Sequence, residues 1–197
     1  MDLGEFLGGF GIVDLLLALL FLAFFVLGFA QGTIRRVIGI GSVLFSFLFA
    51  ANLADPLGAY LGQNWTQFAR EYSYMIGFGT VFLAATIAFA LVVQGFYKPQ
   101  PLFEKARFVD EALGGVLGIV QFGLILLSVV VILDSFFSVR GIAVDAQELS
   151  WLRSLWTALD SSTIVDFFRA VVIPGFFTVF DLFIPDRLFV LYPGVAA

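Results

Sequence analysis

Long apolar stretches separated by short polar ones dominate the chain. A helix that crosses the roughly 30 Å hydrocarbon core of a bilayer needs about 20 mostly apolar residues, because each residue rises about 1.5 Å. Four stretches reach that length: about Ile12 to Ala30, Arg36 to Leu53, Ser73 to Gly95 and Ala112 to Asp134. The first carries Asp14 as its only charge, at the entry where it can reach headgroups. The second follows after almost no loop and contains Gly39, Gly41, Ser42 and Ser46, small residues that let helices approach closely in lipid. The third and fourth are long enough to span with some tilt. The pattern predicts an all-α membrane protein with four transmembrane helices arranged as two hairpins.

Beyond Asp134 the periodicity changes. From Ala146 to Leu159 apolar residues recur at Leu149, Leu152, Leu155 or Trp156, and Leu159, the spacing of an amphipathic helix. Asp160 to Ser162 break that helix and offer an N-cap for a second segment, Thr163 to Val172, which Pro174 and Gly175 end or kink. The run from Gly175 to Pro185 is too short to span. Its aromatic content predicts a segment at headgroup level or folded back on the bundle. Residues 1–138 thus form a four-span domain, and residues 139–197 a region of short amphipathic, interfacial helices.

Composition fixes the class and narrows the chemistry. Hydrophobic residues make up 61% of the chain and charged ones 13%, and the mean hydropathy of +1.04 is beyond a water-soluble domain of this size. With no Cys and no His, zinc sites, thiol nucleophiles, disulfides and histidine bases are excluded. Phosphate-loop, G-x-S-x-G and H-E-x-x-H motifs are missing, so no residue set can be given catalytic, cofactor-binding or metal-binding roles. Nothing points to nucleic acid. Asp2 and Glu5, without a positive charge, argue that the N-terminal run is retained rather than cleaved as a signal peptide. Arg35, Arg36, Lys98, Lys105 and Arg107 flank one side of the spans and Arg70 the other, which places both termini outside the cytoplasm by the positive-inside rule. Arg140 and Arg153 argue the other way.

Candidate contact residues lie at the helix entries. Gly28 and Gly32, and Gly114 and Gly118, form G-x-x-x-G pairs suited to close helix contact. The second and fourth spans begin alike, each with a charged pair followed by Gly. That likeness fits a duplicated two-helix unit and equally fits the general need for small residues in a bundle. Arg35 and Arg36 share a predicted depth with Asp110 and Glu111. Either these charges lock the two hairpins together, or the arginines bind anionic headgroups. Gln121, about mid-depth in the fourth span, needs a partner in hydrocarbon. An interhelical hydrogen bond is the plain reading and a transport path the sharper one.

The run L-G-F-A-Q-G-T-I-R-R from Leu27 to Arg36 resembles the G-x-x-[RK]-G-x-x-R turn of the colicin V production protein family. The run from Asp110 to Gly123 is similar to the same family's D-R-x-L-G-x-x-x-G-x-x-R-G entry into its last helix. Asp14 also fits, and the resemblance covers about Ile12 to Asp134. Gln31 and Gln121 stand where the family usually has a basic residue, Glu111 replaces an Arg, and one Gly is displaced to Gly123. The resemblance implies a bacterial plasma-membrane protein associated with toxin production or export and envelope homeostasis. Its expected partners are the lipid bilayer and other membrane or envelope proteins, with a homo-oligomer left open. The leading expectation is a non-enzymatic module acting by contact, through its Gly faces and the region around Trp151, Trp156 and Phe176. A small oligomeric channel with Gln121 and Gln94 along its path is the alternative.

Overall fold

The computed structural model describes residues 11–66, 68–96, 107–139 and 148–192, apart from the side chains of 94–96. Asp2, Glu5, Lys98, Lys105, Arg140, the start of the amphipathic stretch at Ala146 and the side chain of Gln94 lie outside the described residues. Four long helices, α1 (Ile12–Gln31), α2 (Thr33–Asn64), α3 (Arg70–Phe96) and α4 (Arg107–Phe137), are each long and apolar enough to cross a membrane. The chain is a multi-pass membrane protein.

Helices α2 and α4, with 32 and 31 residues, overshoot what a bilayer requires. At 1.5 Å per residue each is about 45 to 50 Å long, against a hydrocarbon core of about 30 Å. Helix α2 was expected to stop near Leu53, but it continues through Asp55 and Pro56 to Asn64. Turns that project beyond the hydrocarbon need not be apolar. Asp55 is satisfied there by an ion pair with Arg187, 3.1 Å long.

Helices α2 and α4 occupy the middle of the bundle, with α3 packed on α2 and α1 packed on α4. Neighbours in sequence are therefore not always the main partners in space, because α1 and α2 diverge from a sharp turn at Gly32. That glycine ends one helix, begins the next and has φ of +77°, a conformation that side chains with a Cβ rarely adopt.

The short C-terminal helices are α5 (Ser150–Asp160), α6 (Thr163–Phe167), α7 (Ile173–Val179) and α8 (Asp186–Phe189). A wide π-helical turn at Phe168–Val172 joins α6 to α7. Helix α5 buries Leu159 and half-buries Leu152 and Trp156, whereas Trp151 and Leu155 face outward. Ser162 is the N-cap of α6, its hydroxyl accepting from the Val165 N–H at 3.3 Å. Of the end or kink expected at Pro174 and Gly175, the end does not occur: helix continues to Val179 after an irregular turn at Phe168–Val172. A proline in a helix lacks the N–H and pushes on the carbonyl four residues back, which here is Ala170. The wide turn that contains Ala170 absorbs that mismatch.

Helices α5 and α6–α7 meet at 78°, and by length and composition the bent pair could also count as one broken span. Its contacts describe a return path. From Asp14, near the start of α1, the chain reaches Phe21 through Phe168, packs Phe176 on Phe47 of α2, and comes back to Asn52 and Asp55. It enters and leaves at the same end of the bundle, so the segment after Gly175 is folded back rather than laid on the surface. Ile173, Phe177 and Leu188 are fully buried in that recess.

Candidate functional site

Two buried carboxylates hold the C-terminal helices on the bundle. Asp134, in the last turn of α4, is 2% exposed. Arg169 from the wide turn grips it with two parallel bonds, Nε to Oδ2 at 2.9 Å and Nη2 to Oδ1 at 2.7 Å. The Trp156 indole N–H donates to Oδ1 at 2.9 Å and the Tyr192 hydroxyl to Oδ2 at 2.8 Å. A third arm of the guanidinium, Nη1, reaches Asp160 at 2.6 Å. One carboxylate thus gathers donors from α5, the wide turn and the chain after α8. Forked arginine contacts of this kind are among the strongest and most directional in proteins.

The electrostatics agree with the geometry. Burial alone opposes the charge on Arg169, but the hydrogen bonds and negative charge of Asp134, and then of Asp160, outweigh it and raise its pKa. Burial and the adjacent Asp134 charge push the Tyr192 phenol up as well, so it stays a donor. Beside the cluster lies a recess of about 380 Å³, lined in part by Ser138, Ala170 and Pro174.

Asp14 is the second anchor and is 0% exposed. Its Oδ1 accepts from the Ser162 hydroxyl at 2.6 Å and the Ile164 N–H at 3.0 Å, and its Oδ2 accepts from the Gly11 N–H at 2.9 Å. A carboxylate of α1 therefore satisfies amide groups at the start of its own helix and of α6. Such N–H groups have no partner within their own helix. Among the described residues no group of acidic side chains could hold a metal ion.

At the opposite end the predicted contact residues are brought together, in a different pairing. A Cβ on Gly28 would strike the backbone of Gly114, one on Gly118 would strike Phe24, and one on Gly114 would lie 2.8 Å from the Gly32 carbonyl carbon. Both G-x-x-x-G pairs are spent on one another within the chain. The expected lock of Arg35 and Arg36 with Asp110 and Glu111 takes another form. Thr33 donates its hydroxyl to the Asp110 carbonyl at 2.9 Å and its N–H to the Asp110 carboxylate at 3.4 Å. Glu111 pairs with Arg107 on its own helix. Arg36 donates Nη1 to the Gln121 carbonyl oxygen at 2.6 Å. Gln121, at the middle of α4, therefore lies beside Arg36 and Gly39, with the neighbouring Phe122 packed on Phe21 at the middle of α1.

Of the three aromatic residues expected as contact elements, Trp156 and Phe176 are turned inward, and Trp151 stays outward. The residues that tie the C-terminal helices down, Asp14, Asp134, Ser162, Arg169 and Tyr192, were not singled out by sequence as a set. A signal did exist: a lone Arg169 in the run F-F-R-A-V-V implies a buried acidic partner, and Asp14 and Asp134 are the acids within the flanking spans.

The family model described as Colicin V production protein matches residues 13–172. That span goes past the fourth helix and takes in Asp14, Asp134, Trp156, Ser162 and Arg169. No curated protein and no solved structure matches the chain.

Proposed function

The chain belongs to the colicin V production protein family, and on that premise we propose that it is a plasma-membrane module that works by contact with other envelope proteins. It serves toxin production or export and envelope homeostasis without catalysing a reaction of its own. Both termini and the C-terminal helices lie on the extracytoplasmic side, in keeping with the basic residues Arg35, Arg36 and Arg107 at the other end.

The observation that carries this reading is the clamped C-terminal cap. Two carboxylates and a forked arginine fix α5 to α8 on the bundle while leaving Trp151, Leu155, Leu182 and Phe183 exposed. A rigid element that presents aromatic and aliphatic side chains suits a protein contact, since aromatic anchors bind with little loss of conformational freedom. The clamp's donors are saturated by Asp134 and Asp14, so its chemistry is that of a fastening.

The test is purification of the full chain from native membranes in mild detergent, with a photocrosslinker at position 151. A partner recovered at fixed stoichiometry and lost in Trp151→Glu is the expected result. Solute flux through liposomes containing this chain alone, abolished by Gln121→Leu, would overturn the proposal in favour of a channel.

A further inference from the structure

We infer that the recess between α2, α3 and α4 near Arg36 is a binding site for a phosphate-bearing anion, and that its occupant is the headgroup of an anionic lipid. The recess has a volume of about 200 Å³, and its lining includes Arg35, Arg36, Ser42, Thr86 and Gln121 and, among the described residues, no acidic one. It lies near the end of the bundle where α1 turns into α2. Arg36 is four residues past Gly32, which puts it about 6 Å along the helix from that turn, within reach of a headgroup from the adjacent leaflet.

Arg36 is the informative residue. It is 5% exposed, and among the described residues it forms no ion pair. One arm, Nη1, is taken by Gln121, and the guanidinium lies 5.7 Å from the Phe24 ring centre. Its Nε is buried and has no hydrogen-bond partner among the described residues. A buried guanidinium without a counter-charge is costly, and a free donor on it adds to that cost. The planar fork of Nε and Nη2 matches two oxygens of a phosphate.

A second donor in the same recess is unpaired. The Thr86 hydroxyl is shielded and has no partner among the described residues, whereas Ser42 is already satisfied by the Ile38 carbonyl at 2.8 Å. Arg35, half-buried on the rim, adds a second positive charge. Gln121 holds Arg36 in place and cannot neutralise it. A phosphate monoanion would supply the missing charge and accept from both free donors, which an uncharged sugar or a cation would not do. The acyl chains of a lipid would lie along the exposed apolar flank of α3, at Leu83, Ile87 and Leu91.

The test uses the full chain, purified in detergent and delipidated, with three probes: dioleoylphosphatidylglycerol, dioleoylphosphatidylcholine and inorganic phosphate. Retention is read by native mass spectrometry and by the shift in thermal unfolding. Phosphatidylglycerol is expected to be retained at least tenfold better than phosphatidylcholine. Arg36→Gln is expected to reduce that retention about tenfold and Thr86→Val about threefold, while Arg107→Gln at the exposed start of α4 leaves it unchanged. Thr86→Val leaves the guanidinium in place and decides the matter should Arg36→Gln fail to fold. Equal retention of phosphatidylglycerol by wild type, Arg36→Gln and Thr86→Val overturns the site. Inorganic phosphate binding that depends on Arg36, without retention of either lipid, overturns the lipid as occupant and leaves a soluble anion.

Discussion

The two ends of the bundle solve the same problem in opposite ways. At the capped end the two buried carboxylates are saturated, Asp134 by Arg169, Trp156 and Tyr192, and Asp14 by Ser162, Ile164 and Gly11, while the buried hydroxyls of Ser73 and Tyr74 have no partner among the described residues. At the other end the backbones of α1 and α4 are pressed together through glycine, and two buried donors, Arg36 Nε and Thr86 Oγ1, have no partner among the described residues. Saturation at the capped end marks a fastening. At the other end the leftover includes a buried positive charge, Arg36, with no ion pair among the described residues, which marks a place built for a counter-charge. A buried charge without a counter-charge destabilises far more than a lone buried hydroxyl, so Arg36 is the most telling of the unpaired groups.

Perturbing the fastening should have the largest effect. Asp134→Ala leaves an indole N–H and a phenol without their acceptor and Arg169 with Asp160 alone, and the loss of stability is expected to be about 3 kcal/mol, the lower end of the range for breaking a buried pair. Thermal unfolding in detergent measures it, and protease sensitivity appearing first between residues 139 and 192 would locate it in the cap. A cooperative loss of the whole bundle with the cap still protected would show that the cap is not held by Asp134.

The glycine seam comes next. Gly28→Leu forces α1 away from the backbone of Gly114, at an expected cost of about 1 to 3 kcal/mol for an overpacked contact. A cysteine pair placed across α1 and α4 in a Gly28→Leu background should lose its crosslink, while one across α2 and α3 should keep it. Unchanged crosslinking of both pairs would mean that α1 is not held through this seam.

Two smaller effects sharpen the contrast. Ser162→Ala removes both the cap of α6 and one donor to Asp14, for an expected loss of about 1 kcal/mol, typical of an N-cap. Asp14→Asn in the same background should add less than its effect alone, because both residues belong to one network. At the other end, Arg107→Gln breaks only an exposed pair with Glu111 and should change stability by less than about 0.5 kcal/mol. A large effect there would reveal an ion-pair role for α4's first turn that its geometry does not suggest.

Hydrophobic runs and their lengths were enough to determine four spans, their approximate positions, and the switch to shorter amphipathic helices after Asp134. The reason is physical: a bilayer demands internally bonded, apolar segments of fixed length, and few other sequences satisfy it. The glycine pairs and the family motifs around Gly28 to Arg36 and Asp110 to Gly123 were legible for the same reason, since close backbone approach needs small residues at fixed spacing.

What the sequence could not decide was which helix meets which. Pairing α1 with α4, sending Arg36 to Gln121, and bringing Arg169 and Tyr192 to Asp134 depend on contacts across 35 to 148 positions of chain, among them those of Asp14 with Ser162. Local pattern carries no term for such distances. The tertiary structure chose them because each buried charge and each crowded backbone had to find its complement somewhere in the bundle, and only the assembled helices set what lay within reach.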